Sequence, residues 1–143
     1  MEMINGLLPE IIRMRDQLNG VIMEMDYYRT LHSEAGHTKI AKIVMAACTA
    51  HFGVTQSGIE SKSRDTDIRM ARQIFMVLTY KLTSLSLAKV GAMVGKDHAT
   101  VSHAQKVVDN SSDPAHDHYK DIEKQVQRAL INVEGEKTIQ RKL

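Results

Sequence analysis

Along most of this chain apolar residues recur every three to four positions, the spacing of helices with one buried face. Ile4, Leu7, Ile11, Met14, Leu18, Val21, Met25 and Tyr28 follow an a/d heptad seam, widened by Leu8, Ile22 and Leu31. Pro9 places the start of the regular helix close to Leu8, and Asn19-Gly20 falls on its outward face. Such a helix either pairs with its copy in a second subunit or folds back as extra core. A short linker, residues 33–37, ends at Thr38, which caps a helix carrying Ile40, Ile43, Val44, Ala47 and His51 inward and stopping at Gly53. A polar loop, ESKSRDT at residues 60–66, precedes a long helix from Asp67 to about Lys81. Its stripe of Ile68, Ala71, Phe75, Leu78 and Leu82 is joined by Ile74, Met76 and Val77, so it is apolar nearly all round and predicted to be the central buried helix.

Two shorter helices follow in close succession. The first starts behind Ser86, turns Leu87, Val90, Met93 and Val94 inward, and stops at Gly95. Gly91 falls where two helices would cross closely. Asp97 then caps a second helix whose Val101, Ala104 and Val108 form a buried stripe. The opposite face presents Ala99, Ser102, His103 and Lys106, with His98 on its flank. Small, polar and basic, it suits a helix lying in a DNA major groove, so the pair reads as a helix-turn-helix. After a break at NSSDP, residues 110–114, a last helix carries Ala115, Tyr119, Ile122, Val126 and Leu130 on one side. The tail from Glu134 is charged and predicted to fray.

Composition narrows the class. Of 143 residues 43% are hydrophobic and only 4% aromatic, with no Trp, which favours an aliphatic helical core over a β-sandwich. No apolar run approaches the ~18 residues of a membrane span, and MEMINGLLPE is no signal peptide. A single cysteine, Cys48, excludes an internal disulfide and fits a cytoplasmic setting. Net charge is +2, but residues 38–110 hold ten Lys/Arg against five Asp/Glu, while residues 1–37 hold three against six. The positive charge therefore sits on the segment with the helix-turn-helix, where phosphates would need it.

Catalytic signatures are missing: there is no GxxxxGK[ST], GxSxG or HExxH. Cys48 and His51 stand one turn apart without further ligand company, and read as an ordinary helix face. His116 and His118 lie among Asp113, Asp117 and Asp121, yet residues two apart on a helix do not face one another. No enzyme, metal, cofactor or nucleotide is expected.

SKSR at residues 61–64, Arg72-Gln73, Leu82-Thr83, SLAKVG at residues 86–91 and GKDHATVSHA at residues 95–104 together resemble the C-terminal DNA-binding domain, domain IV, of the bacterial replication initiator DnaA. The resemblance runs from about Thr38 to Leu130 and does not extend to the initiator's ATPase domain. It implies an all-α fold, with a TrpR-like, DnaA domain IV-like helix-turn-helix domain at residues 37–131; outside the resemblance, periodicity and charge place an amphipathic, coiled-coil-type helix at residues 1–36 before it and a charged tail at residues 132–143 after it.

The resemblance also implies roles. Arg64 falls on the arginine that enters the minor groove, and Lys62 on a flanking basic position. Arg72 and Gln73 match a pair that contacts or frames the DNA backbone. Asp97, His98 and Ala99 fall where base edges are read; Lys96, Thr100 and Lys106 suit phosphates, and His103 shares their face. Ala99 replaces a threonine usual in the family, Thr66 and Tyr80 replace basic residues, and Ala88 stands where proline is frequent. The expected function is sequence-specific binding of double-stranded DNA at initiator-box-like sites, as a nucleoid-associated regulator of transcription or replication and a homodimer through the N-terminal helix. The alternative is a protein-interaction module whose N-terminal helix grips a partner while the DnaA-like fold serves as scaffold or tether.

Overall fold

The computed structural model describes residues 11–17 and 34–142. The chain divides into two compact units, residues 1–36 and 37–143. In the first, residues 11–17 are helical, with the seam residues Ile11 and Met14 exposed. The remaining seam positions, together with Asn19-Gly20, lie outside the described residues.

Six further helices follow: α1 (Glu34–Phe52), α2 (Gln56–Ile59), α3 (Thr66–Leu82), α4 (Leu87–Ala92), α5 (His98–Asp109) and α6 (Pro114–Lys142). The fold is all-α, as the periodicity predicts, with no strand among the described residues. No helix among them is long and apolar enough to cross a membrane.

Of the linker expected at residues 33–37, residues 34–37 are helical, and the division between the two units falls within it. His37 is buried, and its Nε2 lies 3.0 Å from the Ser84 hydroxyl beyond α3. That contact ties down the first turns of α1. At the other end His51 is only half-buried and its Nε2 meets Nδ1 of His118 on α6 at 2.9 Å, with Phe52 packed against both rings. Between these two anchors Ile40, Val44 and Cys48 are buried on the same face. Burial pushes the Cys48 thiol up to about 12, so it stays neutral and packs as a small hydrophobe.

α3 is the central helix. Met70, Ala71, Ile74, Phe75, Met76, Val77 and Leu78 are all buried, so apolar side chains on nearly every face leave water. α2, α4, α5 and α6 all pack on it. Burying each large side chain stabilises the fold by roughly 1.5–3 kcal/mol, which makes this helix the main source of cohesion. Its start is set by Asp65, whose carboxylate accepts from the Asp67 amide. A polar staple joins it to α6: Lys81 Nζ donates to Glu123 at 2.7 Å, and the Tyr119 hydroxyl donates to the same carboxylate oxygen at 2.9 Å.

α6 begins where Asp113 caps it by accepting from the Ala115 amide. It buries Ala115, Ile122 and Val126. Its backbone stays helical to Lys142, so the segment expected to fray continues the helix. His116 Nδ1 donates to the carbonyl of Val108 at 2.8 Å and fastens the end of α5 to α6. Among the described residues no three His, Cys, Asp or Glu side chains gather as a metal site would require.

Candidate nucleic-acid interface

The helix-turn-helix is built from α4 and α5. Ser86 caps α4, its hydroxyl accepting from the Lys89 amide. Val90 and Val94 are buried, whereas Met93, expected inward, is exposed. α4 ends at Ala92, with Met93 as its C-cap and the tight turn following. There the amides of Val94 and Lys96 both donate to the Gly91 carbonyl, and Gly95 takes φ +70°, which glycine adopts without strain. A β carbon on Gly95 would lie 3.7 Å from the carbonyl oxygen of Glu60, so this turn rests against the entry to the SKSR loop. The basic loop and the start of α5 are therefore neighbours.

Asp97 caps α5. Its Oδ1 accepts from the Thr100 amide at 2.9 Å and from the Thr100 hydroxyl at 2.7 Å. The hydroxyl and amide of Thr100 hold the Asp97 carboxyl below its ordinary pKa, so it is ionised at neutral pH. Val101, Ala104 and Val108 are fully buried on the inner face, as their spacing predicts. That burial fixes the rotation of α5 and leaves His98, Ala99, His103 and Lys106 exposed, with Ser102 half-exposed between them. Lys96 is half-buried beside the turn.

The SKSR loop has its own internal order. Ser61 and Ser63 are half-buried while Lys62 and Arg64 are exposed. The Ser63 amide donates to Ser61 Oγ at 3.1 Å, and the Asp65 amide donates to Ser63 Oγ at 3.2 Å. Alternation thus turns the hydroxyls to the backbone and the two cations to solvent.

Arg72, of the pair expected to contact or frame the DNA backbone, turns its guanidinium inward. It is only 6% exposed. Its Nε donates to the Ile59 carbonyl at 2.7 Å, and its Nη2 donates to the carbonyls of Ser61 at 2.8 Å and Gly58 at 3.4 Å. Gln73 beside it is half-buried. Sequence reasoning also passed over Arg69, an exposed cation in the first turns of α3, and the stitching by Ser61 and Ser63. A helix wheel would have placed Arg69 outward; nothing local marks which hydroxyls close a loop.

Exposed on these elements are Lys62 and Arg64 of the loop, Arg69 of α3, and His98, His103 and Lys106 of α5, the last of them in its final turn. Such a surface carries cations for phosphates and a narrow helix face for base edges.

Residues 40–108 match the family described as the bacterial DnaA protein helix-turn-helix. The chain is similar to the chromosomal replication initiator protein DnaA of Bacteroides thetaiotaomicron, 42% identical over 79 residues that make up 54% of this chain and 17% of that protein. The DnaA of Thermodesulfovibrio yellowstonii is 45% identical over 75 residues, 52% of this chain and 17% of its own length. That of Bacteroides fragilis is 38% identical over 81 residues, 56% and 17% respectively. The chain thus spans less than a fifth of the length of the curated relatives it matches.

Proposed function

With a helix-turn-helix of the bacterial DnaA type at residues 40–108 as its premise, we propose that this chain binds double-stranded DNA in a sequence-specific way, at initiator-box-like sites. The single observation that carries this reading is the exposed face of α5 beside the exposed Arg64 loop, both on a DnaA-type domain. In this reading α5 enters the major groove with His98 and Ala99 towards base edges, the Ala99 methyl suiting a thymine methyl. Asp97 has a divided role. One carboxylate oxygen caps the helix through Thr100, which leaves base contact to its partner oxygen. Arg64 reaches the adjacent minor groove, where a narrow, A·T-rich form attracts arginine, with Lys62 flanking it. Lys96, Lys106 and Arg69 lie along the phosphates, and His103 shares the α5 face. Bound to a site, the chain would compete with other proteins for it, as a regulator of transcription or replication.

Self-association is a further part of the reading. It is supported by the heptad seam and by the exposure of Ile11 and Met14 within residues 11–17. Sedimentation of the chain and of Met14→Glu tests it: dimers that become monomers support pairing through this segment, and monomers in both rule it out.

The DNA reading is tested by titrating Arg64→Ala, His98→Ala and Lys106→Ala against matched and mismatched duplexes at two salt concentrations. Arg64→Ala should lose affinity by ~1–3 kcal/mol at the base pairs under the loop, and His98→Ala should relax preference in the major-groove half. Lys106→Ala should weaken all sequences alike and reduce the salt slope by about one. If all three behave like Lys106→Ala, the chain reads no sequence through these residues.

A further inference from the structure

The guanidinium of Arg72 is buried beneath the loop that carries Lys62 and Arg64, and all three of its hydrogen bonds go to main-chain carbonyls of that loop's entry: Gly58, Ile59 and Ser61. From there the bonding continues along the chain. Ser61 Oγ donates to the Gly58 carbonyl at 2.6 Å and accepts from the Ser63 amide. Ser63 Oγ accepts from the Asp65 amide, and Asp65 Oδ1 accepts from the Asp67 amide at the start of α3. The relay therefore leaves α3 at Arg72, passes under the loop and returns to the same helix at Asp67. Lys62 and Arg64 are the only members of the SKSR stretch whose side chains it does not use. A six-residue polar loop with its backbone fixed at both ends has already lost the conformational freedom that binding would otherwise remove.

We propose that Arg72 is a positioning residue: it sets the path of the loop so that Arg64 is presented in its DNA-binding geometry before DNA arrives, and it does not itself touch the phosphates. This rests on the DNA-binding reading above. A planar fork is needed for it, because one lysine ammonium cannot meet three carbonyls spread over four residues from a buried stem. A phosphate contact would require only the charge.

The test uses the full chain and two duplexes, one of initiator-box-like sequence and one in which the A·T pairs under the loop are replaced by G·C. The variants are Arg72→Lys, Arg64→Ala, their combination, and Ser63→Ala, which interrupts the relay at the surface and leaves the core intact. Arg72→Lys should lose affinity about tenfold on the first duplex and change little on the second, with its salt slope unaltered. Ser63→Ala should lose less, in the same pattern. Adding Arg64→Ala to Arg72→Lys should cost far less than Arg64→Ala alone, since the arginine is already misplaced. Without DNA, amide exchange at Ser63 and Asp65 should speed up in Arg72→Lys.

Losses that simply multiply in the double variant, or Arg72→Lys matching the unaltered chain on both duplexes, overturn the positioning role in favour of a plain charge. Unchanged exchange at Ser63 and Asp65 overturns the relay itself. Faster exchange in a chain that never distinguishes the two duplexes removes the DNA reading, and Arg72's role towards DNA with it.

Discussion

Gly91 lies so close beneath the turn that a β carbon on it would be 2.7 Å from the carbonyl oxygen of Lys96, with the Asp97 carbonyl oxygen next at 2.8 Å. Both obstacles are main chain, so neither can swing aside. Replacing Gly91 by alanine should therefore tilt α5 away from α4. Alanine's better helix propensity, about 1 kcal/mol, works against this but is too small to offset the clash. The expected net loss is about 1–3 kcal/mol, read as a lower denaturation midpoint. Stability equal to or above that of the unaltered chain would mean the turn has room to relax.

The hydroxyl of Thr79 offers a change in the opposite direction. Thr79 is fully buried in α3, and its Oγ1 has no hydrogen-bond partner among the described residues. Its carbonyl is already taken by the amide and hydroxyl of Thr83. Thr79→Val keeps the shape and removes an unsatisfied polar group, so it should stabilise the domain by about 1 kcal/mol. Urea unfolding measures it; a loss of stability would show that the hydroxyl has a partner after all.

Acid and alkali should loosen the α3–α6 staple from its two ends. Burial raises the Glu123 carboxyl, but the hydrogen bonds from Lys81 and Tyr119 outweigh it and leave it below its ordinary pKa. Glu123 therefore contributes stability above its ordinary carboxylate range, and that contribution disappears as pH falls through the depressed value. The Glu123 hydrogen bond, first among its causes, raises Lys81, whose contribution is complete below the ordinary lysine value and is lost as pH rises through the raised one. Lys81 is 57% exposed, so solvent screening limits the pair to about 0.2–1 kcal/mol. The stability gap between the unaltered chain and Glu123→Gln should be flat around neutrality and close at both extremes. A gap independent of pH would assign the effect to packing.

Asp97 invites a substitution that separates its helix cap from its charge. Asparagine also caps helices, so Asp97→Asn should keep α5 folded while removing the charge that a cytosine amino group would favour. Asp97→Ala should lose both, with lower helicity and a lower Tm. Equal Tm for the two variants would mean that the cap contributes nothing at this position.

Much of this was legible in the sequence, and the reasons are local. The inward residues of α5 and α3 follow helical periodicity, so Val101, Ala104, Val108 and Phe75 could be placed without coordinates. Caps were equally readable at Ser86 and Asp97, because each side chain acts on an amide three residues on, whereas Thr38, read as a cap, lies inside α1. What failed were properties set by distant partners. Residues 33–37 read as a linker, and nothing in them shows that His37 meets Ser84, 47 positions away. His51 is placed inward by its spacing, but nothing in the sequence shows that it meets His118 across 67 positions. For Arg72, expected to contact or frame the DNA backbone, the charge is visible in the sequence and the burial under the loop is not.

The central claim is that this domain reads DNA sequence, and one equilibrium measurement addresses it directly. The full chain is titrated into two labelled duplexes of equal length and composition at one fixed salt concentration, one carrying an initiator-box-like site and the other the same bases scrambled. Since each mismatched base pair typically costs about 1–3 kcal/mol, the site-bearing duplex should bind at least tenfold more tightly. Equal affinity for the two duplexes, or no binding to either, would contradict the account.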